Sequence, residues 1–328
     1  MKILSPVDRV EEVDELVKAG ADELYCGVLT KDWAYRTVSV NRRHEKQASF
    51  ETFEELETCV KIAHSYGIPV FLTLNEHYCT AFDFPIVLGY AEKARELQVD
   101  AFIVTDLSLI LALREKGVEI HISTGGTTFN SECAMFYRSL GAKRIILPRH
   151  LTVNEIRQIV ENVPEIKMEV FILNSKCPNI DGFCTFHHGL TEVVEEEEKK
   201  NYRNACMLPY EISADCPKES VVWERQHIWR IAHMDERPCG ACALIDFIEM
   251  GVASVKIVGR GNTLSKKVMD IQFIKTAIDF LKESPTKREF TEKARKLYQE
   301  TYGWPCRIYM CYYPYTGEYG IRDLPLSA

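Results

Sequence analysis

The chain has 328 residues, 46% of them hydrophobic and 27% charged, with a net charge of −8 and a pI near 5.7. That length suits one α/β barrel, which commonly takes about 250 residues, or two average domains. The acidic balance argues against a generally basic nucleic-acid surface, and no apolar run is long enough for a signal peptide or a membrane span. A cytoplasmic protein without membrane insertion is therefore expected, and in that compartment twelve cysteines point to metal or redox chemistry rather than disulfides.

In chain order, short apolar runs alternate with amphipathic ones. KILSPV (2–7) precedes VEEVDELVKAGA (10–21), and ELYCGV (23–28) precedes FETFEELETCVKIAHSYG (50–67). IPVFLTLN (68–75) leads to PIVLGYAEKARELQ (85–98), and AFIVTD (101–106) to LSLILALREKG (107–117). EIHIST (119–124) leads to SECAMFYRSLG (131–141), and KRIILPR (143–149) to TVNEIRQIVENV (152–163). KMEVFIL (167–173), the helical CALIDFIEMG (242–251), SVKIVG (254–259) and KKVMDIQFIKTAIDFLKE (266–283) complete the set. Several helical runs stop at glycine just before the next strand, at Gly20, Gly67, Gly117, Gly141 and Gly251, where a left-handed cap carries no Cβ penalty. Eight βα units in order predict the α/β class and a (β/α)8 TIM-like barrel. The rival open, doubly wound sheet usually has fewer strands and a phosphate-binding glycine fingerprint after its first strand, and SPVDRVEE has no glycines.

Residues 175–239 interrupt this rhythm between strand 7 and helix 7. A connection so long is expected to be functional, and in a barrel it lies on the C-terminal face where active sites are built. Within it TEVVEEEEKKNYRN reads as a solvated charge run and VVWERQHIWRIAHMDERP as a strand or hairpin. The domain reading is a barrel over 1–283, with a cysteine-rich insertion over 175–243, and an aromatic-rich C-terminal extension over 284–328. The aromatics of YGWPCRIYMCYYPYTGEYG suit either packing on the barrel or self-association.

Cys177, Cys184, Cys206, Cys216, Cys239 and Cys242 fall within 66 residues, and Cys306 and Cys311 form a late pair. Cys26, Cys59, Cys79 and Cys133 stand alone and read as small core residues. Thiolate is a soft ligand for zinc or iron–sulfur centres. The spacing of six residues, then a distant third cysteine, then CGAC, does not match the paired knuckles of a zinc ribbon. Spacing alone leaves an iron–sulfur cluster, structural zinc and unligated core cysteines all open. His187 and His188 are either zinc ligands, a general base, or a polar loop pair.

Several segments resemble the collagenase-like peptidase family U32. ILSPVDRVEEVDELVKAGADELYCG is similar to its first βαβ segment, and RIILPRHLTVNEI to its strand-six region. MEVFILNSKCPNIDGFC resembles the signature around the first two cysteines, with NSK where small residues are usual. NACMLPY resembles the third-cysteine segment. CGACALIDFIEMGVASVKIVGR resembles the fourth, with Val258 where the family usually has Glu. The resemblance implies a TIM-like barrel with a 4Fe–4S cluster held by Cys177, Cys184, Cys206 and Cys239. Cys242 is the alternative fourth ligand, zinc the alternative metal, and Cys216 has no counterpart. It further implies oxygen-independent hydroxylation, or a related redox modification, of a small aromatic or quinone precursor or of RNA, with prephenate as an oxygen donor for some members. The alternatives are a collagenase-like peptidase and a non-catalytic cluster-bearing subunit that works with a paired family subunit; a homo-oligomer is a further arrangement. No HExxH or GxSxG motif supports the peptidase reading.

Strand ends supply the remaining candidates at the mouth: Asn75, Asp106, Ser123, Thr124, Thr127, Arg149, Asn174, Lys256 and Arg260. Of these Asp106, Arg149, Lys256 and Arg260 are the catalytic candidates. Arginine suits bidentate binding of a carboxylate or phosphate, and with Lys256 it could hold a dicarboxylate; each residue serves equally as a rim cap or ion-pair partner. His121 reads as a strand residue. GRGN (259–262) is a short glycine turn before a helix, a weak phosphate signal. Arg36, Arg42, Arg43 and Lys46 form a local basic patch able to steer a phosphate.

Overall fold

A computed structural model describes residues 1–31, 33, 40–43, 46–175, 177, 179–184, 237–307 and 310–314. The apolar runs form β1 (Lys2–Pro6), β2 (Glu23–Cys26), β3 (Val70–Leu74), β4 (Ala101–Val104), β5 (Ile120–Ile122), β6 (Arg144–Ile146), β7 (Lys167–Leu173) and β8 (Ser254–Ile257). They pair in parallel in chain order, and β8 returns to β1 through the registers Lys2↔Ser254 and Leu4↔Lys256. The expected closed eight-stranded barrel is what forms. Its strands are buried on both faces, hence their near-continuous apolar sequences.

The outer layer is α1 (Val13–Ala19), α2 (Phe53–Ser65), α3 (Phe84–Glu96), α4 (Leu107–Glu115), α5 (Ser131–Ser139), α6 (Val153–Asn162), α7 (Leu244–Glu249) and α8 (Leu264–Phe280). A further helix, α9 (Lys287–Tyr302), lies within the stretch read from sequence as an extension. Its start is a capping box: Thr286 accepts from the Glu289 N–H, and the Glu289 carboxylate accepts from the Thr286 N–H. It buries Phe290, Ala294 and Tyr298, with Tyr298 meeting Phe273 of α8 edge-on at 6.0 Å. Beyond α9, Met310, Tyr312 and Tyr313 are buried. The Tyr313 hydroxyl donates to the Phe171 carbonyl of β7 at 2.8 Å, and the Tyr312 hydroxyl to the Asn174 carbonyl. Tyr312 and Tyr313 therefore pack on the barrel, while Trp304 is exposed.

The barrel interior is not wholly apolar. Arg144 at the start of β6 forks onto Glu23 of β2, with Nη1 and Nη2 each 2.7 Å from a carboxylate oxygen. Its Nη1 also reaches Glu169 of β7 at 3.1 Å. Glu169 accepts in turn from Lys256 of β8 at 3.2 Å, and Ser254 donates to Glu23 at 3.0 Å. Four strands are thus braced across the lumen by buried charges that satisfy one another. Among the described residues no helix is long and apolar enough to cross a membrane.

Candidate functional site at the barrel mouth

The chain leaves β7 through Asn174 and Ser175, both with positive φ (66° and 46°). Asparagine tolerates that region better than most residues, whereas serine enters it at some strain. Asn174 is held on all sides: Nδ2 donates to the Val258 carbonyl and to Asp270, each at 2.8 Å, and Oδ1 accepts from Lys266 at 3.0 Å. This hub aims the backbone outward to Cys177.

The loop from Cys177 to Cys184 then folds back across the C-terminal ends of β5 and β6. Asp181 is buried and accepts from the Arg149 backbone N–H at 2.9 Å and from its Nη1 at 2.8 Å. Gly182 packs so tightly that a Cβ would stand 2.2 Å from Thr127 and 3.1 Å from the Gly125 carbonyl. Phe183 stacks on Phe129 with centroids 6.1 Å apart. Cys177 lies within electrostatic reach of Arg149 and Tyr312.

Inside this rim the candidates separate by role. Arg149 lies over the Phe171 ring at 4.1 Å, and its Nε is buried with no hydrogen-bond partner among the described residues. Arg260 donates to Thr73 Oγ1 at 3.0 Å and to the Asn41 carbonyl at 2.6 Å. Gly27 makes room for it, since a Cβ there would stand 2.7 Å from Arg260 Nη1. Lys256 sits deeper, above the Tyr25 ring at 3.9 Å; burial holds its ammonium below the ordinary lysine range, opposed by Glu169. Asp106 caps α4, accepting from the Leu109 N–H and the Cys79 N–H at 3.0 Å each. Its carboxylate is spent on backbone donors. Asn75 donates from Nδ2 to Ser123 at 3.0 Å while its Oδ1 is buried with no partner among the described residues.

Glu76 and Asp181 were not anticipated from sequence, whereas Arg42 belongs to the expected basic patch. Glu76 follows β3, is buried, and accepts through Oε1 from the His77 N–H at 2.8 Å, with His77 Nδ1 at 3.2 Å. Its Oε2 is buried without a hydrogen-bond partner among the described residues. Arg42, with φ 60°, faces Glu76 and Asp181. Asp181 itself lies inside the quoted cysteine loop, and the Asn-Glu-His run ending β3 was the available signal for Glu76. His121 is a buried strand residue, edge-on to Phe71 at 4.6 Å. In the GRGN turn the Gly261 N–H donates to Asp8 at 2.6 Å, so a carboxylate of the chain occupies that donor. Arg36, His187, His188, Cys206 and Cys216, and the Lys46 side chain, lie outside the described residues.

Cys177, Cys184 and Cys239 are all half-buried and reduced. Cys177 and Cys184 follow β7, and Cys239 is bridged antiparallel to Leu173, the last residue of β7, so three of the four family-like ligands are tethered to one strand end. Their chemistry fits a soft metal centre. Among the described residues, however, no three His, Cys, Asp or Glu side chains stand close enough to grip one metal ion. A cavity of about 180 Å³ adjoins this rim at Arg149, between Arg149–Val153 and Tyr312–Pro314, below the roughly 300–1,000 Å³ of most ligand pockets.

The fold and this rim define an eight-stranded parallel barrel whose thiol-bearing loop closes over its C-terminal mouth. The chain belongs to peptidase family U32, whose family model matches residues 8–316. A tRNA hydroxylation protein P of Helicobacter pylori is 26% identical over 224 residues, covering 68% of this chain and 50% of that protein. A 23S rRNA 5-hydroxycytidine synthase of Escherichia coli is 29% identical over 265 residues, covering 81% of this chain and 37% of its own length. An uncharacterized protease of Methanocaldococcus jannaschii is 32% identical over 56% of this chain and 43% of that protein. The chain thus spans about half or less of the length of these curated relatives. A solved U32 peptidase structure superposes with a TM-score of 0.47 at 16% identity, covering 80% of this chain and 94% of that one.

Proposed function

We propose that this protein is a cytoplasmic enzyme of oxygen-independent, iron–sulfur-dependent hydroxylation whose substrate is an RNA nucleoside. The observation that carries the reading is a set of groups at the mouth, beside the cysteine loop: Asn75 Oδ1, Glu76 Oε2 and Arg149 Nε are buried with no hydrogen-bond partner among the described residues. Buried polar groups left unpaired are destabilising, and a bound molecule with one or more N–H or O–H donors and an anionic edge would satisfy all three. A nucleobase with its phosphate has both. So does the family-implied oxygen donor prephenate, whose carboxylates match the guanidinium of Arg149. The printed names of the relatives that act on tRNA and rRNA support the RNA class.

Cys177, Cys184, Cys206 and Cys239 are the residues that would hold the cluster. When bound, a cluster supplies one-electron transfer beside the mouth. The chain's own residues orient the rim: Asp181 fixes Arg149, Arg260 ties the segment after β8 to Thr73 of β3, and Phe183 stacks on Phe129. Glu76 and His77 form a carboxylate–imidazole pair able to hold a proton at the rim.

The test is nucleoside mass spectrometry of tRNA and rRNA from an oxygen-free culture of a strain lacking this gene. A hydroxylated nucleoside should vanish, return with the wild-type gene, and stay absent with Cys177→Ala. An unchanged nucleoside profile would overturn the reading. Turnover by the anaerobically purified single chain distinguishes an enzyme from a supporting subunit.

A further inference from the structure

The turn that carries the cysteine loop back over the mouth inverts the usual polarity of a loop. The Phe183 N–H donates to the Ile180 carbonyl at 3.0 Å, closing a turn over Ile180, Asp181, Gly182 and Phe183. Gly182 takes its third position at φ 83°, a region glycine enters without a Cβ penalty. The two central residues are fixed to the barrel. Asp181 is buried on Arg149, and Gly182 leaves no room for a Cβ beside Thr127. The two large apolar residues at the ends face water instead, Ile180 being 53% exposed and Phe183 65%. Carboxylates are ordinarily outside and large apolar side chains inside, and an apolar rim held out to solvent marks an interaction site.

Phe183 is held out by a rigid support. Phe129, half-buried beyond β5, lies against its ring with the two planes inclined by only 22°. Phe129 covers one face, and the exposure of Phe183 leaves the other open. A flat π-system continues such a stack with full contact, which a branched aliphatic side chain of a protein partner does not. Because Asp181 and Gly182 already pin the turn, a ring that stacks on it orders little of the chain. A cation stands in the same turn: Arg149 pairs with Asp181 at 2.8 Å. The turn rests on Thr127 and Arg149, so this surface is continuous with the mouth. Unpaired RNA bases are held in this way, splayed out and stacked on aromatic side chains beside a cation.

We propose that Phe183, backed by Phe129 and flanked by Ile180, is a stacking ledge for an unpaired RNA base next to the hydroxylated nucleoside. The proposal rests on the RNA reading above and deepens it. The substrate is a single-stranded or splayed segment, since the bases of a continuous duplex are stacked on one another and closed to a protein ring. Stacking accepts every base, so the ledge adds affinity without sequence choice.

The test is fluorescence anisotropy of the full chain, purified without air, with labelled oligoadenylate, oligouridylate, an abasic ribose-phosphate oligomer of the same length, and an RNA duplex. Wild type should bind oligoadenylate best and the abasic and duplex probes least. Phe183→Ala should weaken oligoadenylate binding about tenfold. Its dependence on salt should not change, because no phosphate contact is lost, and the abasic probe should bind as before. Phe183→Trp should keep the affinity. Both variants alter an exposed ring, so their unfolding midpoints should stay close to wild type. Equal affinity for abasic and base-bearing probes, or unchanged affinity in Phe183→Ala, overturns the ledge; loss of a hydroxylated nucleoside in the strain lacking the gene then leaves the RNA reading standing. A wild-type dimer that Phe183→Ala dissociates, with RNA affinity kept, also overturns it and gives the ring to a second copy of the chain. Absence of binding to every probe overturns it as well, and an unchanged nucleoside profile removes the RNA reading with it.

Discussion

Gly182 and Gly251 share the same backbone angle, φ 83°, in very different surroundings. Nothing lies within 4 Å of a Cβ built on Gly251, whereas one on Gly182 would meet Thr127 at 2.2 Å. Gly251→Ala therefore registers the left-handed strain alone, about 1 kcal/mol or slightly more. Gly182→Ala adds a displacement of the cysteine loop. Its loss in urea unfolding should exceed that of Gly251→Ala by about 1–2 kcal/mol, with quenched Phe183–Phe129 packing visible by NMR. Equal losses would mean that the loop does not rest on the β5 rim. His121 gives a second residue-scale prediction. Burial holds its imidazole below the ordinary histidine range, against the pull of Glu119. The unfolded chain then binds the extra proton first, so stability falls as pH drops below about 6.5 and stops falling once the folded-state pKa is passed. His121→Gln should flatten that part of the stability–pH curve, measured by denaturant unfolding from pH 7.5 to 5.

At the scale of elements, the link between the start of α1 and α8 rests on one cation. Lys267 donates to Asp8 at 2.6 Å and to Glu12 at 2.7 Å, and both Lys267 and Asp8 are almost wholly buried. Burial already raises the Asp8 pKa despite Lys267. Lys267→Met leaves two buried carboxylates uncompensated and should destabilise by about 3–5 kcal/mol at neutral pH. Because the folded carboxyl then takes up a proton more readily than the unfolded one, the loss should shrink on acidification toward about pH 5; a loss independent of pH would refute this account. The elements themselves were largely legible from sequence. Short apolar runs gave all eight strands, and the five glycines ending helices do adopt positive φ. Helix α9 was missed because half of its residues are charged, with Phe290, Thr291, Ala294 and Tyr298 turned inward; the Thr286/Glu289 capping box was the overlooked sign. At the site, Arg149 and Arg260 were legible as strand-end cations, but their partners Asp181 and Asn41 come from loops, and no local pattern encodes such long-range pairings. Asp106 shows the converse: its strand-end position looked chemical, and its carboxylate serves a helix cap. The bridge between Cys311 and Cys239 depends on the tail returning to β7, which spacing cannot show.

Across the whole molecule, closure of the barrel and the chemistry at its mouth draw on charges at different depths. Arg144 braces β6 to β2 and β7 with two carboxylates, whereas Lys256 contributes one contact to Glu169, a carboxylate that Arg144 also holds. Removing Arg144 strands Glu23 with only Lys2 at 3.4 Å and Ser254, and takes from Glu169 one of its two cations. Removing Lys256 leaves Glu169 still paired. The two deletions should therefore rank clearly. Arg144→Met should destabilise by about 3–5 kcal/mol, and Lys256→Met by distinctly less, in denaturant unfolding at pH 7. Adding Glu23→Leu to Arg144→Met should recover part of the loss, since an apolar replacement of both partners removes the stranded charge. A purely structural brace further requires that nucleoside hydroxylation per folded molecule be unchanged by Arg144→Met. If Lys256→Met instead leaves stability near wild type while abolishing hydroxylation, the ammonium belongs to the mouth as a substrate contact, and Arg144 alone carries the brace.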